Sequence, residues 1–332
     1  MNAYVSLPAD DSVAIVGLTD KKPMTTISVG HNPVNLAINS RANLEYLYTA
    51  NQNDGTVSFV NLRSGSVEQP VQAGAQPWGI DVTPYLKLTT NDQNPRQYIV
   101  VANTGDNTIT YIDPTSRSTS IKQVAGFHPH GVVASPKALD TYILSDSGPN
   151  CQVLHINADG TTGQPTTITG SVKLWKGAIT PDGKTLYITD QGTTNLYKVD
   201  ISNGFNVLNP IPLSGMGYDI AITPDGKTAY VSIPAGTSTN QQGVIDVIDL
   251  TTGSKTSTKP VNQRVTEANR PQALAVNAAT TELWVALQNR LGYYGLTASS
   301  GAMEDDLRIA PYTATPGQAP PISDIVLGAG IQ

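Results

Sequence analysis

Short apolar runs recur along this chain, and turns rich in Gly, Pro, Asn or Asp separate them. The segments that follow the runs alternate apolar and polar side chains, as strands of a sheet do, and no segment has helical periodicity. The pattern therefore predicts an all-β chain of short strands. Seven variants of one tetrapeptide mark the runs, at residues 4–7, 48–51, 100–103, 143–146, 187–190, 230–233 and 284–287.

A turn position before the first strand of each unit gives the repeat length. Successive turn positions are 42 to 54 residues apart, and a repeat of about 40 to 50 residues with several short strands is typical of a β-propeller blade. The 11 residues after Pro321 and the 33 residues up to Pro33 together make 44, which is one further repeat. The seven positions are Pro33, Pro77, Pro129, Trp175, Gly217, Pro271 and Pro321.

We therefore predict a single all-β domain over residues 1–332, a seven-bladed β-propeller with four-stranded blades. The ring is expected to close by pairing a C-terminal strand at 322–327 with the N-terminal blade, whose other strands lie at 3–6, 12–18 and 24–29. Such closure removes the exposed strand edges that recruit other chains. The predicted blade units are 31–74, 75–126, 127–170, 171–215, 216–269, 270–320, and 321–332 together with 1–30.

Composition narrows the range of partners. Charged residues make up 14% of the chain, against about 25% in typical globular proteins, and the net charge is −6. This balance argues against a nucleic-acid partner, which favours a basic face. The single cysteine, Cys151, excludes an intramolecular disulfide, and no apolar run is long enough to span a membrane. We expect a monomer.

The localisation expected from the sequence is outside the cytoplasm. No charged-then-apolar leader precedes the first strand, so the protein is either cytoplasmic or begins after a removed signal peptide. A surface low in charge and rich in Thr and Asn favours an extracellular, periplasmic or cell-surface protein.

The tetrapeptide and the Pro-Asp-Gly-Lys-Thr turns at 181–185 and 224–228 resemble the YVTN family of seven-bladed propellers, over essentially the whole chain. The resemblance implies the fold. Similar propellers include surface-layer proteins, secreted binding proteins, lactonases, streptogramin lyases and haem-bearing domains of nitrite reductases. Function must therefore be argued from the site rather than from the fold.

The residue after each turn position is expected to line one mouth of the central channel. The candidate ligand-binding residues are those that are aromatic, basic or amide-bearing, while Val34 and Ile322 make the other side apolar. A rim of seven residues contains some polar side chains whether or not it binds anything, so a purely structural role stays open. The candidates are Trp78, His130, Lys176, Tyr218 and Gln272.

Histidines provide the candidates for chemistry. His31, His128 and His130 could hold a divalent metal, or His130 could act as a general base near neutral pH. His128, His130 and Lys176 are the catalytic candidates of a metal-assisted lactonase or lyase, although no Glu occupies the rim positions that the family resemblance would call for. A noncovalent cofactor on His130 is a further alternative, whereas covalent haem attachment is excluded because Cys-x-x-Cys-His is missing.

His155 is expected to be a hydrogen-bonded core residue, because its equivalents in other repeats are apolar or aromatic. On this basis His155→Ala should cost a few kcal/mol, and His130→Ala little if His130 faces solvent. The loops after the tetrapeptides carry turn-forming side chains that could also bind calcium or sugar. These are Asn51, Asn53, Asp54, Asn103, Asp106, Asn107, Asp146 and Asp190.

Insertions at 84–96, 234–243, 251–270 and 299–320 are candidate recognition loops or tolerated surface variation. The last three are expected on the face of the proposed site, in the fifth and sixth repeats. The function that the sequence favours is a secreted or cell-surface binding or scaffold propeller. It would recognise a small molecule, glycan or protein at the channel mouth and the long loops.

Overall fold

The computed structural model describes residues 1–41, 44–87, 95–148, 150–234, 243–261, 270–279, 281–287, 290–296, 304–308 and 322–328. Within these ranges, regular structure is β-strand apart from one short 3-10 turn, Pro8–Asp10. No helix in the described ranges has the length and hydropathy needed to cross a membrane.

The strands are short and follow one another in a regular order. The first half of the chain forms β1 (Asn2–Leu7), β2 (Ser12–Gly17), β3 (Pro23–Ser28), β4 (Pro33–Arg41), β5 (Leu44–Asn51), β6 (Thr56–Asn61), β7 (Val71–Gln72), β8 (Pro77–Val82), β9 (Ile99–Asn103), β10 (Thr108–Ile112), β11 (Thr119–Gln123), β12 (Pro129–Ala134), β13 (Thr141–Ser145), β14 (Gln152–Ile156) and β15 (Thr166–Thr167). The second half forms β16 (Leu174–Ile179), β17 (Thr185–Asp190), β18 (Asn195–Asp200), β19 (Asn206–Pro212), β20 (Ile220–Ile222), β21 (Thr228–Ile233), β22 (Val244–Asp249), β23 (Ser254–Pro260), β24 (Ala273–Val276), β25 (Glu282–Leu287), β26 (Arg290–Gly295), β27 (Glu304–Arg308) and β28 (Ile325–Gly328).

These strands form seven four-stranded antiparallel sheets, so the chain is an all-β seven-bladed propeller, as predicted. Blade 1 has the order β28-β1-β2-β3, and blades 2 to 7 take four consecutive strands each, starting at β4, β8, β12, β16, β20 and β24. Ring closure by the C-terminal strand is confirmed, because Val5 pairs with Ile325 and Asn2 pairs with Gly328.

Burial is greatest in the second strand of each blade and least in the outer strand, while inner strands such as β16 and β28 are only partly buried. Every residue of β1, β9 and β13 is buried, whereas β3, β11 and β23 are largely exposed. Apolar side chains of neighbouring blades pack face to face, as Tyr48 and Phe59 of blade 2 do with Ile80 of blade 3. The tetrapeptides read as continuous apolar runs because both faces of these strands are covered.

Two sequence predictions about strand positions need correction. In blade 4 the tetrapeptide lies one residue earlier than the predicted 143–146, because Tyr142 pairs with His155 just as Tyr48 pairs with Phe59. The predicted loops at 251–270 and 299–320 contain the outer strands β23 and β27. Outer strands are solvated on most sides and lack an apolar signature. The insertion at 234–243 lies outside the described residues, apart from its ends.

Candidate functional site

The loops after the second strands lie on the same face of the disc as the turns that lead into the inner strands. We call this face the mouth face. Asp54 Oδ2 accepts the backbone N–H of His31 at 2.7 Å, and Asp106 Oδ2 accepts that of Ala75 at 2.8 Å. Asp190 holds the turn of blade 5 in the same way, through Val172 at 2.9 Å. In blades 2, 3 and 5 a carboxylate therefore ties the lead-in turn to the loop beside it.

The residues at the mouth of the channel form a ring whose register differs from the prediction by one residue in two blades. Gly177 pairs with Ile188 as Ile80 pairs with Val101, which makes Trp175 the equivalent of Trp78. Lys176 therefore lies one position deeper in the channel. The mouth ring consists of Val34, Trp78, His130, Trp175, Tyr218, Gln272 and Ser323.

Blade 1 shows the second register difference. The backbone carbonyl of Asp324 accepts the N–H of Ser6 at 3.1 Å, as the backbone carbonyl of Asp219 accepts that of Ser232 at 2.9 Å. Ser323 rather than Ile322 therefore belongs to the ring. A signal for Trp175 was present in the sequence. The proline of the first turn in blades 3 to 6 lies six residues after Trp78, His130, Trp175 and Tyr218 respectively.

Four consecutive members of the mouth ring make an aromatic cluster, which consists of Trp78, His130, Trp175 and Tyr218. The His130 ring stacks on Trp78 with centroids 3.6 Å apart and contacts Trp175 at 4.0 Å. Trp175 in turn meets Tyr218 edge-on at 5.6 Å, and Lys173 Nζ lies 4.5 Å from the Trp175 ring. Trp78 and His130 are buried and Trp175 and Tyr218 are partly exposed, so the cluster packs mainly against itself and narrows this side of the mouth.

His130 is neutral in this environment. Its side chain is only 4% exposed, and Nδ1 is buried without a hydrogen-bond partner. Burial lowers the pKa of His130 to about 3, with the positive charges of Lys173 and Lys176 acting in the same direction. An imidazole with so low a pKa is a weak base near neutral pH, and its position between two indoles makes it inaccessible to a substrate. His130 therefore does not match the general base proposed from the sequence.

Lys176 forms the centre of a charged cluster inside the channel. Its Nζ donates to Asp324 Oδ1 at 2.5 Å and lies 3.9 Å from Asp219 Oδ2. Burial disfavours the Lys176 charge, but the two carboxylates outweigh it and raise the pKa above its ordinary value. Burial raises the pKa of Asp219, which the charge of Lys176 opposes. We call Lys176, Asp219 and Asp324 the channel triad.

The channel carboxylates also hold the blades together. Asp324 Oδ2 accepts the N–H of Leu36 in blade 2, and Asp219 Oδ2 accepts that of Leu274 in blade 7, each at 2.8 Å. Asp81 Oδ2 accepts the N–H of Ala134 in blade 4 at the same distance. The N–H groups of inner strands that point towards the channel lack a neighbouring strand, and these carboxylates supply the acceptor.

A cavity of about 160 Å³ occupies the channel below the aromatic cluster. It offers charged and amide groups, but each carboxylate already accepts a backbone N–H or a lysine proton, so the cavity lacks an unengaged base or nucleophile. The lining includes Asn35, Trp78, Asp81, Lys176, Asp219 and Asp324.

The three candidate metal-binding histidines make separate contacts. His31 Nδ1 lies 2.7 Å from Asp54 Oδ1, and the exposed His128 lies 3.1 Å from Asn107 Oδ1 through its own Nδ1. The described part of the chain contains no group of three His, Cys, Asp or Glu side chains placed to hold a metal. Gln272 is buried in the mouth ring, and its Oε1 has no hydrogen-bond partner.

His155 differs from the core residue expected. Its ring stacks on Tyr142 at 4.8 Å and packs towards Phe205 of blade 5, and Nε2 lies 3.3 Å from Asp140 Oδ1. The side chain is nevertheless 33% exposed. The predicted hydrogen bond and inter-blade packing are present, at the edge of the core rather than inside it.

Comparison with known proteins identifies the fold. The chain matches no protein-family model, and a search of curated proteins finds no relative. Kuenenia stuttgartiensis hydrazine synthase is similar in structure, with a TM-score of 0.74 and 18% identity over 89% of this chain and 92% of that chain. A functionally unknown protein from Desulfotomaculum acetoxidans DSM 771 has a TM-score of 0.75 and 14% identity over 99% of both chains. Streptogramin B lyase has a TM-score of 0.64 and 15% identity over 84% of both chains. Because these identities are low, the similarities show the fold alone.

Proposed function

We propose that this protein is a secreted or cell-surface binding propeller of the YVTN-repeat type, which recognises a partner across its mouth face without chemical turnover. The burial of His130 inside the aromatic cluster carries the proposal. An enzyme acting in the channel needs an accessible base, nucleophile or metal. Here His130 is buried and neutral, and the Lys176 charge is balanced by two carboxylates.

Two exposed apolar side chains favour a protein partner over a small molecule. Val172 and Met216 are 48% and 51% exposed, and they lie on the lead-in turns of the adjacent blades 5 and 6. Val172 is next to the charged Lys173 and three residues from Trp175, and Met216 is two residues from Tyr218. An apolar centre with a polar surround is typical of protein recognition sites.

The chain offers a matched control for this surface. Val207 and Leu208 are 40% and 38% exposed on the outer strand β19, away from the mouth face. The experiment measures binding of the labelled protein to the envelope fraction of the producing cells. We expect Val172→Asp with Met216→Asp to reduce binding at least tenfold, and Val207→Asp with Leu208→Asp to leave it unchanged.

Catalysis is tested separately, with native mass spectrometry, elemental analysis and a panel of lactones. We expect no stoichiometric metal and no turnover, in the wild type or in His128→Ala combined with His130→Phe. Bound metal that disappears in the double variant together with lactone turnover would replace the proposal with the metal-assisted lactonase or lyase alternative. A coloured protein whose chromophore disappears in that variant would favour a cofactor carrier.

A further inference from the structure

A cavity of about 190 Å³ opens on the face opposite the mouth, between blades 2 and 3. Its walls combine tyrosine rings with two arginines and one carboxylate, contributed by Tyr46, Tyr48, Tyr85, Arg96, Asp113 and Arg117. A second cavity of about 460 Å³ continues towards blade 4, and both are lined by Asn39, Tyr85 and Gln97. The two cavities together form a groove that neither the mouth nor the channel uses.

Arg117 has a left-handed backbone conformation, for which the equivalent turns of blades 2 and 6 use glycine and that of blade 1 uses Lys21. Its φ is +63°, and its N–H donates to the carbonyl of Asp113 at 2.9 Å. The same turn in blades 2 and 6 carries Gly65 at φ +71° and Gly253 at φ +68°, with the equivalent hydrogen bond. A side chain at positive φ is strained, and such strain in a native protein points to a role for the side chain.

The guanidinium of Arg117 is only half satisfied. Its Cζ lies 3.6 Å from the centre of the Phe59 ring, and Nη2 pairs with Glu68, which also accepts the Tyr46 hydroxyl proton at 2.5 Å. The other terminal nitrogen, Nη1, is buried and has no hydrogen-bond partner. A buried donor without an acceptor is costly, and a carboxylate is the acceptor that a guanidinium matches best.

The size and the charged side chains of the cavity at Arg117 indicate the size and chemistry of a ligand that could bind there. Cavities of about 150 Å³ accommodate one benzene ring, so the cavity at Arg117 has room for one six-membered ring. Asp113 Oδ1 is already engaged by the N–H groups of Thr115 and Ser116, at 2.7 and 3.0 Å. Arg96 adds a second positive charge at the cavity, and the apolar Val82 and Pro136 line the adjoining cavity, where a substituent could extend.

We propose that this groove binds a small carboxylate carried on a single six-membered ring, with Arg117 as the residue that recognises the carboxylate. The ring can come from an aromatic acid or from a sugar acid, because tyrosine faces and amide groups suit both. The site is independent of the mouth face and of the function proposed for it.

Calorimetric titration with two matched pairs of probes tests the proposal. The pairs are 4-hydroxybenzoate with 4-hydroxybenzamide, and galacturonate with galactose. We expect the wild type to bind at least one carboxylate, at least tenfold more tightly than its neutral counterpart. Binding of the first pair alone identifies an aromatic acid, and binding of the second alone a sugar acid.

Variants separate recognition by Arg117 from folding and from general charge. Arg117→Gly restores the residue used in blades 2 and 6, so the turn should fold, and we expect at least a tenfold loss of affinity. Arg117→Lys keeps the positive charge but not the planar guanidinium, so its affinity for the acid should lie between those of the wild type and Arg117→Gly. Lys227→Gln removes one exposed charge on the same face outside the groove and should bind as the wild type does. Equal affinity for acid and neutral probes, no binding of either acid at millimolar concentration, or unchanged affinity in Arg117→Gly would overturn the proposal.

Discussion

At the scale of single residues, the two histidines His130 and His155 exchange the roles that the sequence suggests for them. His130 is 3% exposed between two indoles, whereas the His155 side chain is 33% exposed. We expect His130→Ala to lower the free energy of unfolding by about 2–4 kcal/mol, as other large-to-small core changes do, and His155→Ala by about 1 kcal/mol. Urea unfolding of both variants measures this order, and a larger loss at His155 would contradict the described burial.

The neutral state of His130 also predicts a pH dependence. Its folded pKa of about 3 lies below the ordinary 6.5, so the unfolded chain binds the extra proton, and stability from this residue is lost as pH falls below about 6.5. Relative to His130→Phe, the wild type should lose about 1.4 kcal/mol per pH unit between pH 6 and 4. Burial raises the pKa of Asp81 to about 6, which gives the opposite slope, but both proteins share it. If the difference in unfolding free energy between the two proteins stays constant from pH 6 to 4, His130 is protonated in the folded protein and the prediction is wrong.

At the scale of elements, the channel triad joins inner strands that are distant in the sequence. Lys176→Met leaves Asp219 and Asp324 buried without their cation, and breaking a buried ion pair this way typically costs about 3–5 kcal/mol at pH 7. The loss of stability should be smaller at pH 5, because burial raises the pKa of Asp219 and its protonation removes the repulsion between the two side chains. Chemical denaturation at the two pH values measures it. A loss that is equal at both would indicate that packing of the lysine stem, rather than charge, is what the variant removes.

The elements that the sequence predicts well are those whose burial leaves an apolar signature. Second strands such as β1 and β9 are buried along their whole length and were found from the tetrapeptide. The outer strand β23 is exposed and polar, so the sequence predicts a loop there. The partners of Lys176 were missed for a different reason. Asp324 approaches from the other end of the chain, and the closeness of two residues across a ring is not encoded in local spacing.

The sequence predicts which residues lie together at the channel mouth, but not whether they are accessible for chemistry. Trp78, His130 and Tyr218 do meet in one cluster, because equivalent positions of successive blades converge on the channel. Whether those side chains face solvent or one another depends on packing across blades, which repeat counting cannot reveal. In blade 5, Leu174 occupies the turn position that is proline in most other blades. Without that proline, the sequence register of this blade is one residue off and predicts Lys176 instead of Trp175 in the mouth ring.

At the scale of the whole molecule, the ring is closed by strand pairing inside blade 1 rather than by contacts between complete blades. β28 pairs with β1, and Asp324 reaches from the same segment to blade 2 and to Lys176 of blade 5. Removing residues 322–332 should therefore expose an edge of β1 and also leave Lys176 without its closest carboxylate. Such an edge is a template for association with other chains.

Two chains with altered ends test this account. We expect the chain lacking 322–332 to unfold at lower temperature and to self-associate. A circular permutant opened between β23 and β24 should stay monomeric. In it, residues 329–332 and Met1 would connect Gly328 to Asn2, and five residues is a usual length for the connection of a hairpin. The permutant should nevertheless melt below the native chain, since packing alone would then close its ring. Light scattering and thermal unfolding distinguish these states, and a monomeric truncated chain with an unchanged melting temperature would show that blade packing alone closes the ring.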